Sequence, residues 1–413
     1  MSQALLSIIN LLTGLILIRR ASQAQYGSFV LISGAAPLVV QLQNQLIAPL
    51  LTKRVTAAPD SERKSYVGGL LREQRYLQAM VAAAGLLICA VVWLAGGELR
   101  TTALIFLAGA IAAVAALFRD FLRMMLVTYR RPYDVLRADV VYAALFVAGV
   151  WFATLTDIPA ALSALAMAAA ATVGGLLLSR ALWRHDPWTS PGMRGAFSQS
   201  VMYGLWAATG AVIHWVFNQG YTYIVAVRLD VTAVAAIAAT RLLLSPLGVF
   251  SLGISSLMFP TATLWLQHHG LRGLLRRVLL FALGLAAISL VYLVIMWSVR
   301  DWIFLYVLKR DYAQRDLLLG LWSAIFFATV IRDQLIFLQM ARGHFKRLAG
   351  LTAFCAALGL SVTFFATQNH GAAGGLLGLL AGELAYVGGV IFLTVRDVRA
   401  SAPPAPNDLP VTS

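Results

Sequence analysis

The sequence predicts an all-α polytopic membrane protein, with twelve transmembrane helices in two parallel six-helix lobes related by a pseudo-twofold axis. Three observations predict it. Sixty per cent of the 413 residues are apolar and 12% are charged, with a mean hydropathy of +0.80. No water-soluble globule has interior enough to hide that much apolar side chain. Runs of 18 to 25 apolar residues recur along the chain, each long enough to cross roughly 30 Å of hydrocarbon as a helix. Finally, landmark residues repeat at a nearly fixed offset of half a chain.

The apolar runs place spans at about 3–20, 27–51, 76–96, 101–128, 139–156, 159–180, 199–227, 231–260, 276–298, 316–341, 346–367 and 371–395. The domain reading follows: an N-terminal lobe over 1–182, an inter-lobe linker over 183–198, a C-terminal lobe over 199–395 and a disordered, Pro-rich tail over 396–413. The net charge of +15 would suggest nucleic-acid binding in a soluble chain; here its distribution reports orientation. Twenty-one of the 32 Lys and Arg lie in the connections after even-numbered spans and in the tail, and eight in the others. By the positive-inside rule both termini are expected in the cytoplasm. Arg119, Arg241 and Arg332 remain inside spans. The opposite connections are too short for a catalytic domain, so no enzyme activity is expected. The segment 61–75 mixes Leu, Val and Tyr with Arg and Lys, and reads as either an amphipathic helix on the inner leaflet or a polar loop. Arg19-Arg20 follow the first span instead of preceding it, unlike the basic start of a cleavable signal. Cys89 and Cys355 sit inside apolar runs as small buried hydrophobes. No cofactor and no metal is expected.

The repeat rests on residues that are rare in this composition. At an offset of 209, Thr13 meets Thr222, Arg19 meets Arg228, Ala24 meets Ala233 and Pro37 meets Pro246. At an offset of 213, Arg119-Asp120 meets Arg332-Asp333 and Leu122 meets Leu335. Six spans per copy is an even number, so both copies enter from the same side and the pseudo-twofold axis runs along the membrane normal.

The opening LLTGLILIRRASQAQYGSFVLISG resembles the start of the polysaccharide-biosynthesis flippases, the O-antigen (Wzx-type) and related lipid-linked oligosaccharide translocases. There an Arg ends span 1 and a Tyr-Gly-aromatic step begins span 2. FRDFLRMMLVTYRRPYDVLRADVVYA is similar to that family's junction of spans 4 and 5. AATRLLLSPLGVFSLGISSLMFPTAT is similar to its span 8, with Pro246 and Pro260. The wider multidrug/oligosaccharidyl-lipid/polysaccharide (MOP) superfamily also holds the MATE multidrug exporters and the lipid II flippases. The resemblance implies a MATE-like fold with a V-shaped cavity between lobes and a polyprenyl-diphosphate-linked glycan as cargo. It further implies a bacterial inner-membrane location, a monomer, and a polysaccharide polymerase and glycosyltransferases as working partners.

A diphosphate bearing sugars crosses hydrocarbon only where a polar, preferably cationic cavity replaces its water. Arg241, ten residues into span 8, is too deep to snorkel easily, and is the leading phosphate candidate; pairing with backbone carbonyls or a neighbouring helix is the alternative. Arg119 and Arg332, each followed by an Asp, read as phosphate contacts at the cytoplasmic mouth. Alternatively they snorkel, or pair lobe to lobe and close an inner gate with Asp120 and Asp333. The adjacent Arg-Asp residues are not expected to make an ideal intrahelical bridge. Arg19 reads as an exit-side phosphate contact or an interface anchor. His214 and Asn218 on span 7, and Asn44 and Gln45 within the amide run of Gln41, Gln43, Asn44 and Gln45 on span 2, read as sugar-facing cavity walls or inter-helix hydrogen bonds. Glu383 in span 12 reads as a proton-coupling site or a packing carboxyl. Pro37, Pro49, Pro246 and Pro260 are expected to kink spans 2 and 8.

Rival classes lack their residues. No G-x-x-x-x-G-K-[ST] occurs for an ATPase, and the connection 51–65 lacks the G-x-x-x-D-[RK] of a major-facilitator carrier. A cation-coupled multidrug exporter of the same superfamily is the strongest competitor, although span 1 carries only Asn10 and Thr13 where those exporters place a carboxylate.

Overall fold

A computed structural model describes residues 2–94, 99–188, 192–312 and 314–400. With no water at depth to satisfy the backbone, an apolar chain must close every N–H and C=O internally, and the described residues do so as helices. They run α1 (Ser2–Arg20), α2 (Gln23–Ala57), α3 (Asp60–Leu94), α4 (Leu99–Thr128), α5 (Pro132–Ala153), α6 (Pro159–His185) and α7 (Ala196–Arg228). The helical stretch Val231–Trp302 breaks at Gly270, whose φ of 61° and ψ of −172° are open to glycine alone. It forms α8 (231–269) and α9 (271–302), the latter ending in a π-helical turn, Ile303–Leu308. Then follow α10 (Arg315–Met340), α11 (Phe345–His370) and α12 (Ala372–Ala400). Ten of the described helical stretches are long and apolar enough to cross a membrane, and the bent α7 makes eleven; the 19-residue α1 packs as the twelfth rod.

Local chemistry sets the ends. Ser22 accepts from the Gln25 N–H at the start of α2, and Asp230 accepts from the Ala233 N–H at 2.8 Å at the start of α8. Pro132 and Pro159 occupy first-turn positions, where no N–H is needed.

The packing is repeated as the sequence landmarks require. In the first half α6 packs on α4 and α5, α4 on α2 and α3, and α1 on α5. In the second α12 packs on α10 and α11, α10 on the α8–α9 pair, and α7 on α11. The lobes meet through α2 against α7 and α8, α1 against α8, and α3 against α7. Close approach here requires glycine: a Cβ at Gly27 would collide with the Val231 carbonyl, and one at Gly204 with the backbone of Gln45 and Leu46. Leu86, Leu87 and Val91 of α3 and Leu283, Val291 and Val294 of α9 are exposed, as suits helices on a lipid-facing periphery.

The structure corrects three expectations. The segment 61–75 is neither a loop nor a leaflet-lying helix; it is the first part of α3, with Tyr66, Val67, Gly69 and Leu70 buried. Its apolar stripe packs on protein, with Tyr66 bonded to Ser200 of α7 at 2.8 Å. The four prolines lie inside α2 and α8 as expected, but the sharp bend is in α7, 65° between Ala196–Met202 and Gly204–Arg228. The connection expected over 299–316 is largely helical through the π turn. Residues 401–413, most of the expected tail, and 189–191 of the expected linker lie outside the described residues.

Candidate functional site

Each lobe carries one buried guanidinium cluster at the repeated Arg-Asp position. In α4, Arg119 is 5% exposed. It pairs with Asp139 of α5, which also takes Arg123 at 3.2 Å, and its guanidinium lies 3.9 Å from the centre of the Tyr142 ring. Asp120 stands 3.9 Å from Arg119. Gly174 and Gly175 of α6 make room for this cluster, since a Cβ on either would press on Arg119 or Phe118. In α10, Arg332 is likewise 5% exposed. It donates to Glu383 of α12 at 2.5 Å and to Asp333 at 2.9 Å, between the rings of Phe217 and Tyr386. Ser251 of α8 donates to the other Asp333 oxygen at 3.3 Å.

Two expectations change here. Neither arginine pairs lobe to lobe, because a buried cation needs a partner that stays with it, and each finds its carboxylate inside its own lobe. The Arg332-Asp333 neighbours do bridge, since a long guanidinium folds back onto the adjacent carboxylate. Glu383 is a buried ion-pair partner of Arg332.

Arg241 is different. It sits about 15 Å along α8 from its N-terminal end at 1.5 Å per residue, half-buried, with its guanidinium 5.3 Å from the Trp322 ring centre. The Tyr26 and Tyr221 hydroxyls are near enough to feel its charge. Tyr26 belongs to the other lobe, so Arg241 stands where α8 faces α2. Among the described residues it has no ion pair. Of the three span arginines, it alone leaves its charge uncompensated by a carboxylate.

His214 and Asn218 occupy one face of α7, a turn apart. Asn218 donates to the His214 carbonyl at 2.8 Å, and the exposed imidazole lies within electrostatic reach of Arg332 and Asp333. The neighbouring α7 face binds α2: Trp215 donates to the Gly34 carbonyl at 2.8 Å and Tyr223 to that of Leu31 at 2.9 Å. The amide run of α2 divides. Gln43 is 1% exposed and donates to the Leu117 carbonyl at 3.2 Å while accepting from Gln74; it belongs to the lobe interior, not to a cavity wall. Gln41 and Gln45 are exposed along the same stripe as Pro37 and Pro49. Asn44 is half-buried, and its side-chain oxygen has no protein donor.

At the end of the bundle where α1 stops and α8 begins, two arginines latch the lobes reciprocally. Arg19, at the end of α1, donates to the carbonyls of Val307 and of Tyr306, the latter at 3.0 Å. Arg310, just past the π turn, donates to those of Ile18 at 3.2 Å and Ala21 at 2.8 Å. Each cation thus sits on the carbonyl end of the other lobe's helix, where the dipole favours it. Arg20 stacks on Trp151 at 3.7 Å. At the opposite face, Arg63 and Tyr129 reach Asp186 at 2.9 and 2.8 Å. Burial pushes the Asp186 carboxyl up, but these hydrogen bonds prevail and hold it below the ordinary carboxylate range. No set of three His, Cys, Asp or Glu side chains that could hold a metal occurs among the described residues.

Sequence reasoning missed Asp139, Arg123, Arg310, Trp322 and Tyr26, and placed Tyr221 on a sugar-facing wall with His214 and Asn218, where the structure buries it beside Arg241. One signal was present: Val-Gly-Gly at 173–175 recurs at 387–389, an offset of 214, marking the helix that packs on each arginine-bearing helix.

No family model matches the chain, and no curated protein matches it in sequence. Among solved structures it is similar to an inward-facing multidrug resistance MATE family transporter of the MOP superfamily, at TM-score 0.78 and 14% identity over 97% of this chain and 96% of that one. It is similar to the lipid II flippase MurJ in an inward closed conformation, at TM-score 0.70 and 11% identity over 94% and 85%. With an outward-facing MATE transporter of the same superfamily the TM-score is 0.62, at 12% identity over 97% and 93%. Identities this low speak for the fold alone: the chain has the two-lobe helical fold of the MOP-superfamily transporters.

Proposed function

We propose that the chain is a flippase that moves a polyprenyl-diphosphate-linked oligosaccharide from the cytoplasmic to the outer leaflet of a bacterial inner membrane by alternating access. The observation that carries this reading is Arg241, a cation at mid-depth between the lobes with no carboxylate among the described residues to neutralise it. Even a half-buried charge at this depth is costly without a counter-ion, and a diphosphate supplies one. Trp322, Tyr26 and Tyr221 pack around it as buried side chains and fix the position of the guanidinium.

In this reading His214 and Asn218 on α7, with Asn44 and Gln45 on α2, form the two sugar-facing walls. Arg332 and Arg119 act through the clusters of Asp333 with Glu383, and of Asp120 with Asp139, which shift as the lobes rock. Arg19 and Arg310 hold the outer side shut while the cargo loads; Arg19 is freed to meet the diphosphate on exit. The lipid tail stays in the bilayer throughout, so no covalent bond is made or broken. The charge distribution supports cytoplasmic termini, and polysaccharide polymerase and glycosyltransferases are the partners that would consume and supply such a cargo.

A cation-coupled multidrug exporter is the second reading, favoured by the likeness to a multidrug MATE transporter and by the carboxylates Asp333 and Glu383. Proteoliposomes separate the two. A lipid-linked, fluorescently tagged glycan should change leaflet with the protein present and not without it. Accumulation of cationic dyes with no movement of the tagged lipid would decide for the exporter, whose cargo Arg241 would repel.

A further inference from the structure

At the cytoplasmic ends of α5 and α6 lies a cleft of about 470 Å3 lined by Arg131, Arg137, Arg180 and Arg184, with His185 and a single carboxylate, Asp134. Four guanidiniums crowd one small volume. Arg131 donates to the His185 ring at 2.5 Å, and Arg137 lies over Tyr133 at 4.9 Å. Among the described residues none of the four is in an ion pair. Several arginines elsewhere on this face are neutralised, Arg63 by Asp186 at 2.9 Å, and Arg342 and Arg347 by Asp397 at 2.7 and 3.3 Å. Like charges gathered without counter-ions repel one another, and an anion in the cleft would relieve them all.

The surroundings indicate what kind of anion. One wall is apolar, Val141, Leu177 and Ala181, and continues onto exposed Val140, Leu145 and Leu176 towards the membrane middle. Tyr133, under the Arg137 guanidinium, is 68% exposed, as aromatic side chains are at the level of lipid headgroups. Arg137 and Arg180 each stand five residues inside their helix ends, so the charge lies at headgroup depth with hydrocarbon above it. The helices that join the lobes are α1, α2 and α3; α5 and α6 pack behind them, so this cleft is separate from the space around Arg241.

We infer that the α5–α6 cleft binds the phosphate headgroup of an anionic glycerophospholipid, its acyl chains lying along Val141, Leu177 and Leu176. The inference takes its membrane side from the orientation proposed above and is independent of the cargo. The test is native mass spectrometry of the full-length protein with added phosphatidylglycerol, with phosphatidylcholine, and with inorganic phosphate as competitor. Wild type should retain phosphatidylglycerol in preference to phosphatidylcholine, and excess phosphate should not displace it. With each basic residue near an anionic surface worth roughly fivefold, R137Q/R180Q should bind phosphatidylglycerol about 25-fold more weakly, while R272Q/R276Q on the other lobe should not. Equal retention by wild type and R137Q/R180Q overturns the inference, as does equal retention of the two lipids. Complete displacement by inorganic phosphate overturns it in favour of a free-anion site. Should R137Q/R180Q fail to fold, the lipid preference and phosphate competition of wild type alone decide.

Discussion

Removing the outer latch should turn the molecule towards its outward-open state. Arg19 and Arg310 each donate two hydrogen bonds to backbone carbonyls of the opposite lobe. A shielded charge-assisted bond contributes about 1.5–3 kcal/mol, but these lie at a wet surface, and about 0.5–1 kcal/mol apiece is the appropriate figure. Together they favour the closed outer side by about 3 kcal/mol, roughly 150-fold in the conformational equilibrium. In the double variant R19A/R310A this bias disappears. Spin labels at Asp157 and His370, both exposed near the outer helix ends, in a background lacking Cys89 and Cys355, would report it as a new, longer distance population. Each single variant should give an intermediate fraction. A double variant with the wild-type distance distribution would refute the latch and return Arg19 to interface anchoring.

Other outcomes follow from the same contacts. Glu383→Ala leaves Arg332 buried with only Asp333, and should destabilise the protein by about 3 kcal/mol, read as an earlier thermal unfolding in detergent. The isosteric pair R332M/E383L should recover most of that stability but not transport; recovery of both would make the cluster purely structural. Gly27→Val should open the outer lobe contact, because its side chain collides with the Val231 carbonyl; a wild-type distance between the spin labels would count against this. Asp186 is held below its ordinary pKa, so its contribution is complete above about pH 4 and is lost as pH falls through the depressed folded value. Wild type should therefore lose stability on acidification more steeply than Asp186→Asn, and parallel melting curves down to pH 3 would contradict that.

Much of the fold was legible because membrane thickness dictates helix length, and twelve apolar runs of that length have few other fates. The Arg119-Asp120 and Arg332-Asp333 landmarks located equivalent places in the two lobes. Their true partners were not legible: Asp139 lies in the next helix and Glu383 in α12, and which helix supplies the counter-ion is decided by tertiary packing. The segment 61–75 shows why periodicity was insufficient there, since an apolar stripe reads alike whether lipid or protein covers it. Gln43 and Gln45 look equivalent in sequence, yet their positions two apart on a helix turn one inwards and the other outwards. Arg310 gave no signal of its own, because its role exists only when the lobes close. Arg241 was legible by depth, and the structure adds that its charge has no carboxylate partner among the described residues.

That unpaired charge is the centre of the account, and the leaflet exchange of a fluorescent polyprenyl-diphosphate oligosaccharide in proteoliposomes tests it most directly. One charge-assisted contact to phosphate contributes about 2–3 kcal/mol. Arg241→Gln, present at wild-type abundance and with an unchanged melting temperature, should therefore slow exchange about 30- to 150-fold, and Arg241→Lys should recover part of the rate. Exchange by Arg241→Gln at the wild-type rate would contradict the claim that this arginine holds the diphosphate as it crosses.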